Sequence, residues 1–337
     1  MTTRSRVRAL LFPLAAVLIT ACGAPAEDEL VVYSSRNEPL IKPLFDQYTA
    51  ETGVTVQFIT DSAGPLLQRL EAEGANSPAD ILLTVDAGNL WQAAQQGLLQ
   101  PVSSPALSAN VPEHLRDPDN AWYGLSVRAR TIVYHADRVS AENLSTYAAL
   151  AEPQWQGRLC LRTSKKVYNQ SLIAMMIAER GEEATEEVVR GWVGNLAAEP
   201  FANDTAVLKA IAAGQCDVGI VNTYYYGRLL KEDPELALRL FWPDQDGNGV
   251  HVNISGAGVV AAADDTGPAV RFLEWLSSPA AQAQFAASNM EYPVSDAVDV
   301  DPLVAAWGDF VGNTINVSQA GALQADAVRL MDRAGYR

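Results

Sequence analysis

Three consecutive tyrosines, Tyr224, Tyr225 and Tyr226, are the residues of this chain whose types and spacing most suggest chemistry. A free phenol titrates near pH ~10 and is a poor anion at neutral pH. Two phenols aimed into one cleft would lose their protons together only beside a strong cation. Residues 217–222, just before them, form a short apolar run with β-branched side chains, which suits a buried strand. Residues 225–233 open like a helix and stop at Pro234. The tyrosines therefore stand at the C-terminal end of a strand, where open α/β sheets bind ligands.

The elements that must position them follow from hydrophobic periodicity. Strands are predicted at 30–35, 54–59 and 79–85, each followed by a helix: one through Leu40, Leu44 and Tyr48 to Gly53, one through Leu66 and Leu70 to Gly74, one over 90–96. Three strand–helix alternations predict a parallel sheet with helices on both faces. A proline-dotted loop is expected over 101–118, then a strand from Trp122 that passes to a second domain around 125–129. The second block has a strand at 157–162 and helices at 168–181, 184–196 and 205–213. Residues 251–262 read as a strand that returns to the first block. Helices over 268–276 and 279–287, the latter opened by proline, and a last one over 322–334 complete the chain.

The chain has 337 residues and a formal charge of −16, which argues against nucleic acid and against a folded surface for anionic lipid. Arg4, Arg6 and Arg8 precede an apolar stretch at 9–19 that is too short to span a bilayer comfortably. The small residues before Cys22 resemble a lipobox, so residues 1–21 read as a lipoprotein signal peptide and 22–29 as a tether; an ordinary signal cleaved near Ala26 is the alternative. No other stretch is apolar enough to span a bilayer, so the chain is not itself a permease. Cys160 and Cys216 remain, and export makes one disulfide the favoured reading over two buried thiols. The first α/β lobe is assigned to 30–126 with about 256–305, the second to 127–255 with about 306–337. Two α/β lobes with two crossing segments and a cleft between them suggest the periplasmic-binding-protein fold, which closes on a ligand by hinge motion.

Several stretches sharpen this: VYSSR at 32–36, FDQYTAETGV at 45–54, EGANSPADILLTVD at 73–86, VRARTIVY at 127–134, YNQSL at 168–172, NTYYYGRLL at 222–230 and HVNISGAGVV at 251–260. Together, in this order, they resemble the periplasmic ferric-iron-binding proteins of bacterial ABC importers, a transferrin-like family of solute-binding proteins. The resemblance implies a monomeric, non-enzymatic carrier that binds Fe³⁺ between two lobes and hands it to a membrane permease and its ATPase. It places the family's paired tyrosines on Tyr224 and Tyr225, a third on Tyr168, and the arginine beside the metal or its companion anion on Arg128. Asn37 and Glu38 stand where relatives often carry His and Tyr. Asn37 is then read as an N-cap and Glu38 as a possible first-lobe ligand, with Asn222 among the surrounding groups. Tyr226 falls where relatives vary and is left out.

The chemistry agrees with that set. Fe³⁺ is small and hard and prefers anionic oxygen. Three phenolates would neutralise it, and Arg128 could hold carbonate or a similar anion in a remaining position. His251 reads as structural, and His114 and His135 lack metal-ligand spacing. No GxSxG or HExxH motif points to a hydrolase. The alternative within binding proteins is another solute, such as a small anion, a polyamine or a ferrous ion.

Overall fold

The computed structural model describes residues 1–2 and 29–337. The expected signal peptide from residue 3, the lipidation site expected at Cys22 and the expected tether to residue 28 lie outside the described residues. β1 (Glu29–Ser34) leads into α1 (Glu38–Thr52), β2 (Thr55–Thr60) into α2 (Ala63–Glu73), and β3 (Ile81–Val85) into α3 (Ala87–Gln95). Next come β4 (Leu99–Gln100), α4 (Pro105–Asn110) and the long β5 (Tyr123–His135). The second block has β6 (Leu159–Cys160), α5 (Val167–Arg180), α6 (Glu182–Gly194), α7 (Asp204–Ala212), β7 (Val218–Asn222), α8 (Thr223–Glu232) and β8 (Leu238–Phe241). β9 (Val252–Val260), α9 (Thr266–Leu276) and α10 (Pro279–Asn289) return to the first block. The tail holds α11 (Pro302–Ala305), α12 (Gln319–Ala322) and α13 (Gln324–Arg333).

The local reasons are visible in α1. Ile41, Leu44, Phe45 and Tyr48 recur at helical spacing and are buried. Phe45 packs edge-on against Phe58 of β2 and Phe272 of α9, with ring centroids 5.3 and 5.6 Å away. The helix ends because Gly53 takes φ 78° and its N–H bonds the Thr49 carbonyl at 2.8 Å.

The strand order is β2-β1-β3-β9-β5-β7-β6, with β4 added to β9 and β8 to β5. β1, β2 and β3 are mutually parallel. The sheet is nevertheless mixed, which corrects the parallel expectation. β9 comes back from the second block and enters between β3 and β5, antiparallel to both. β5 changes company halfway. Its residues 123–129 pair with β9, and its residues 130–135 pair with β7 and β8. One strand thus runs through both sheets, with its change of partner at Ala129 and Arg130.

Smaller differences have local causes. The loop after Pro101 contains α4, which Pro105 opens at its first turn while the Ser104 hydroxyl accepts from the Leu107 N–H at 3.2 Å. The strand expected over 157–162 shortens to the two residues of β6. The tail helix breaks at Leu323 into α12 and α13. Cys160 and Cys216 are joined by a disulfide with Cα atoms 5.9 Å apart. Among the described residues, no helix is long and apolar enough to cross a membrane.

Candidate functional site

A cleft of about 670 Å³ separates the two sheets. Tyr168, Tyr224, Tyr225, Arg128 and Asn37 all line it. β7 ends at Asn222 and α8 begins at Thr223, so Tyr224 and Tyr225 occupy the first turn of that helix. Tyr168 is the second residue of α5. Both helices aim their N-terminal ends at the cleft, where unpaired N–H groups favour negative charge. The Tyr224 and Tyr225 rings lie 4.4 Å apart and tilted by 35°.

Cations surround the phenols. The Arg128 guanidinium lies 5.5 Å from the Tyr168 ring centroid, Arg162 5.4 Å and Lys166 5.1 Å. Arg228 covers Tyr224 at 5.0 Å and Tyr225 at 5.9 Å. Burial drives the Tyr224 phenol far above its usual value, and Tyr168 and Tyr225 push it further, against the pull of Arg128. Burial likewise raises Tyr168, with Arg128 opposing it and Tyr225 adding to it. Without a bound cation these phenols keep their protons at neutral pH. A hard multivalent cation is what would let them ionise together.

Arg128 is 2 % exposed, yet its Nε and Nη2 find no partner. Only Nη1 is engaged, donating to the Ser255 hydroxyl at 2.9 Å. Burial works against its charge, but Glu291, Tyr168, Tyr224 and Asp86 hold it protonated. Two free donors on a buried cation at a cleft wall suit an anionic oxygen ligand. Asn222 is a buried N-cap whose Nδ2 donates to the Tyr224 hydroxyl at 3.3 Å.

Glu38 does not join this group. It is exposed at the start of α1 and outside the cleft lining. The first lobe presents Asp61 and Glu291 to the cleft instead. Glu291 is 3 % exposed and forms a two-pronged pair with Arg36, at 3.2 Å for each prong. Burial alone would raise its carboxyl, but Arg36 and Arg128 bring it below the usual range. The sequence offered no signal for Glu291, because its arginine partner lies 255 positions away. Arg228, three residues beyond Tyr225, is a cleft residue that helical spacing could have found. Tyr226 turns into the core and donates to the Leu238 carbonyl at 3.2 Å. None of the three histidines lines the cleft. Among the described residues no cluster of His, Cys, Asp or Glu is arranged for a metal, so the phenols carry that possibility.

Residues 43–311 match the bacterial extracellular solute-binding proteins. Iron uptake protein A1 of Synechocystis sp. is 44 % identical over 95 % of this chain and 93 % of its own. Iron uptake protein A2 of the same organism is 48 % identical over 91 % and 89 %. The structure of the Trichodesmium protein IdiA (FutA), in complex with iron and citrate ligands, superposes with a TM-score of 0.89 at 44 % identity, covering 92 % of this chain and all of that one.

Proposed function

The chain belongs to the bacterial extracellular solute-binding protein family, and from that we propose that it is the Fe³⁺-binding component of an ABC importer. One observation carries the reading: three phenols from two helix N-termini share a cleft wall with a buried arginine that has two free donors. The names of the Synechocystis relatives and the iron-and-citrate complex of the Trichodesmium protein support iron as the cargo. On this reading Tyr168, Tyr224 and Tyr225 lose their protons to solvent as they take the ion and together neutralise its charge. Arg128 holds a companion anion such as carbonate or a carboxylate. The basic wall formed by Arg128, Lys165, Lys166 and Arg228 argues against a polyamine cargo.

The protein is then a carrier, not an enzyme. It works in the periplasm or at the outer face of the membrane, held there by a lipid on Cys22. It delivers its ion to a permease driven by an ATPase. The test is a visible spectrum with metal analysis of protein purified without chelator. Fe³⁺ should be found at one per chain with a phenolate charge-transfer band. Colourless protein that takes up no Fe³⁺ from citrate would remove the reading and leave a small anion or a ferrous ion.

A further inference from the structure

Arg128 and Arg130 stand two residues apart on β5, so both side chains leave the same face of the strand. They are used in opposite ways. Arg128 keeps donors free at the cleft wall. Arg130, also 2 % exposed, commits all five of its N–H groups. Nε and Nη2 both donate to Oδ1 of Asn169, at 3.0 and 2.6 Å. Nη1 donates to Oδ2 of Asp204 at 3.0 Å and to Oδ1 of Asn222 at 3.1 Å. Nη2 also reaches the Ile220 carbonyl at 3.2 Å.

These partners adjoin the phenols. Asn169 follows Tyr168 directly, and its Nδ2 donates to the carbonyls of Arg162 and Thr163 at 2.8 and 3.0 Å, pinning the loop that enters α5. Asn222 lies two residues before Tyr224 and bonds its hydroxyl. The Asn222 backbone N–H donates to Asp204 at 3.1 Å. One guanidinium therefore ties the segment bearing Tyr168 to the segment bearing Tyr224 and Tyr225. A buried ion pair is weak evidence for stability in itself. A planar fork with fixed directions is instead a device for holding geometry.

We propose that Arg130, with Asn169 and Asn222 as its two arms and Asp204 as its counter-ion, is a positioning residue that fixes the spacing of the three phenols before the cargo arrives. This rests on the function proposed above. A preset face spares the ion the entropy of assembling its own ligands, so losing it should appear as weaker, differently coloured binding.

The test is a double-mutant cycle of Asn169→Ala and Tyr168→Phe, with Fe³⁺ affinity measured by citrate competition and the visible band recorded. Asn169→Ala alone should weaken binding about 10- to 100-fold and shift the band. On the Tyr168→Phe background it should cost less than about threefold, because it acts through that phenol. Equal losses in both backgrounds overturn the positioning role and leave the three-phenolate reading standing. A wild-type protein without a phenolate band overturns both. If Asn169→Ala does not fold, Arg130→Lys takes its place in the cycle. It keeps the charge opposite Asp204 but cannot bridge both asparagines, and should lose about tenfold or more. Wild-type affinity and colour in Arg130→Lys would overturn the proposal.

Discussion

Tyr168 and Glu38 both sit at the start of a helix, but only Tyr168 faces the cleft. That contrast sets the order expected among variants. Tyr168→Phe, Tyr224→Phe or Tyr225→Phe each removes one anionic oxygen with little change of volume. Each should weaken Fe³⁺ binding about 100-fold or more in citrate competition, since the ion then keeps uncompensated charge in a half-dry site. Glu38→Gln should change affinity less than about threefold. A loss for Glu38→Gln as large as that for Tyr225→Phe would make the first lobe a principal donor. His251 gives a second residue-level prediction. It is 4 % exposed, its Nδ1 has no partner, and burial beside Arg130 and Arg128 pulls its pKa down to about 3. An unfolded histidine takes up a proton below pH ~6.5 that the native one refuses. Stability is therefore lost as pH falls from there toward about 3. Between about pH 7 and about pH 4.5 this one group should cost about 2 to 3 kcal/mol, so His251→Gln should flatten the decline seen in urea unfolding. Identical declines in the two proteins would mean that His251 is not buried neutral.

The disulfide belongs to the scale of elements. β6 has only two residues, paired in parallel with β7 through Leu159 with Val218 and Cys160 with Gly219. So short a strand is marginal alone, and it leads into the loop that enters α5 just before Tyr168. Cys160–Cys216 closes a span of 56 positions, for which the chain-entropy model gives about 4 kcal/mol. Cys160→Ala with Cys216→Ala should lower unfolding stability by about 2 to 4 kcal/mol in denaturant titration. An unchanged midpoint would show that packing of β6 suffices. Gly219 tightens the same joint, because a Cβ there would lie 2.8 Å from the Cys160 carbonyl and from Val207 Cγ1. The strand and the helix around Tyr224 were legible in the sequence because a short apolar β-branched run and a helical stretch stopped by proline are local signals. So were α1 to α3, whose apolar spacing is regular. The antiparallel entry of β9 was not, since nothing local states which strands a returning segment will separate. The Arg36–Glu291 pair and the Arg130 hub were hidden for the same reason: their contacts join distant segments. The family resemblance did single out Arg128 on the strand it shares with Arg130, but nothing local in the sequence tells which of the two has donors to spare.

At the scale of the molecule, charge and motion meet in the cleft. The chain carries −16 overall, yet the wall beside the phenols presents Arg128, Lys165, Lys166 and Arg228. On the proposed function, an anionic iron complex would be drawn to one place on an acidic protein, and the attraction should fade with salt. Two segments connect the sheets near this wall: β5 at Ala129 and Arg130, and the start of β9, where the Arg130 N–H bonds the His251 carbonyl at 3.0 Å. Side chains also tie the lobes. Asp86, after β3, accepts from the Ser171 hydroxyl of α5 at 2.7 and 2.9 Å, and from Asn253 of β9 at 2.9 Å. Asp86 is fully buried, so this contact excludes water and resists separation. Motion about the two strands would then open and shut the cleft, whose lining Asn37 and Asp61 share with the phenols. Iron on the second lobe would attract those first-lobe oxygens and shut the cleft. Small-angle scattering of apo protein, and of protein saturated with Fe³⁺ and citrate, should show a smaller radius of gyration in the loaded form. The difference should shrink in Tyr225→Phe at equal iron and return at higher iron, since closure follows occupancy. Superimposable profiles at proven saturation would mean that the ion binds an already closed cleft, and the strands at Arg130 and His251 would then be a rigid joint and not a hinge.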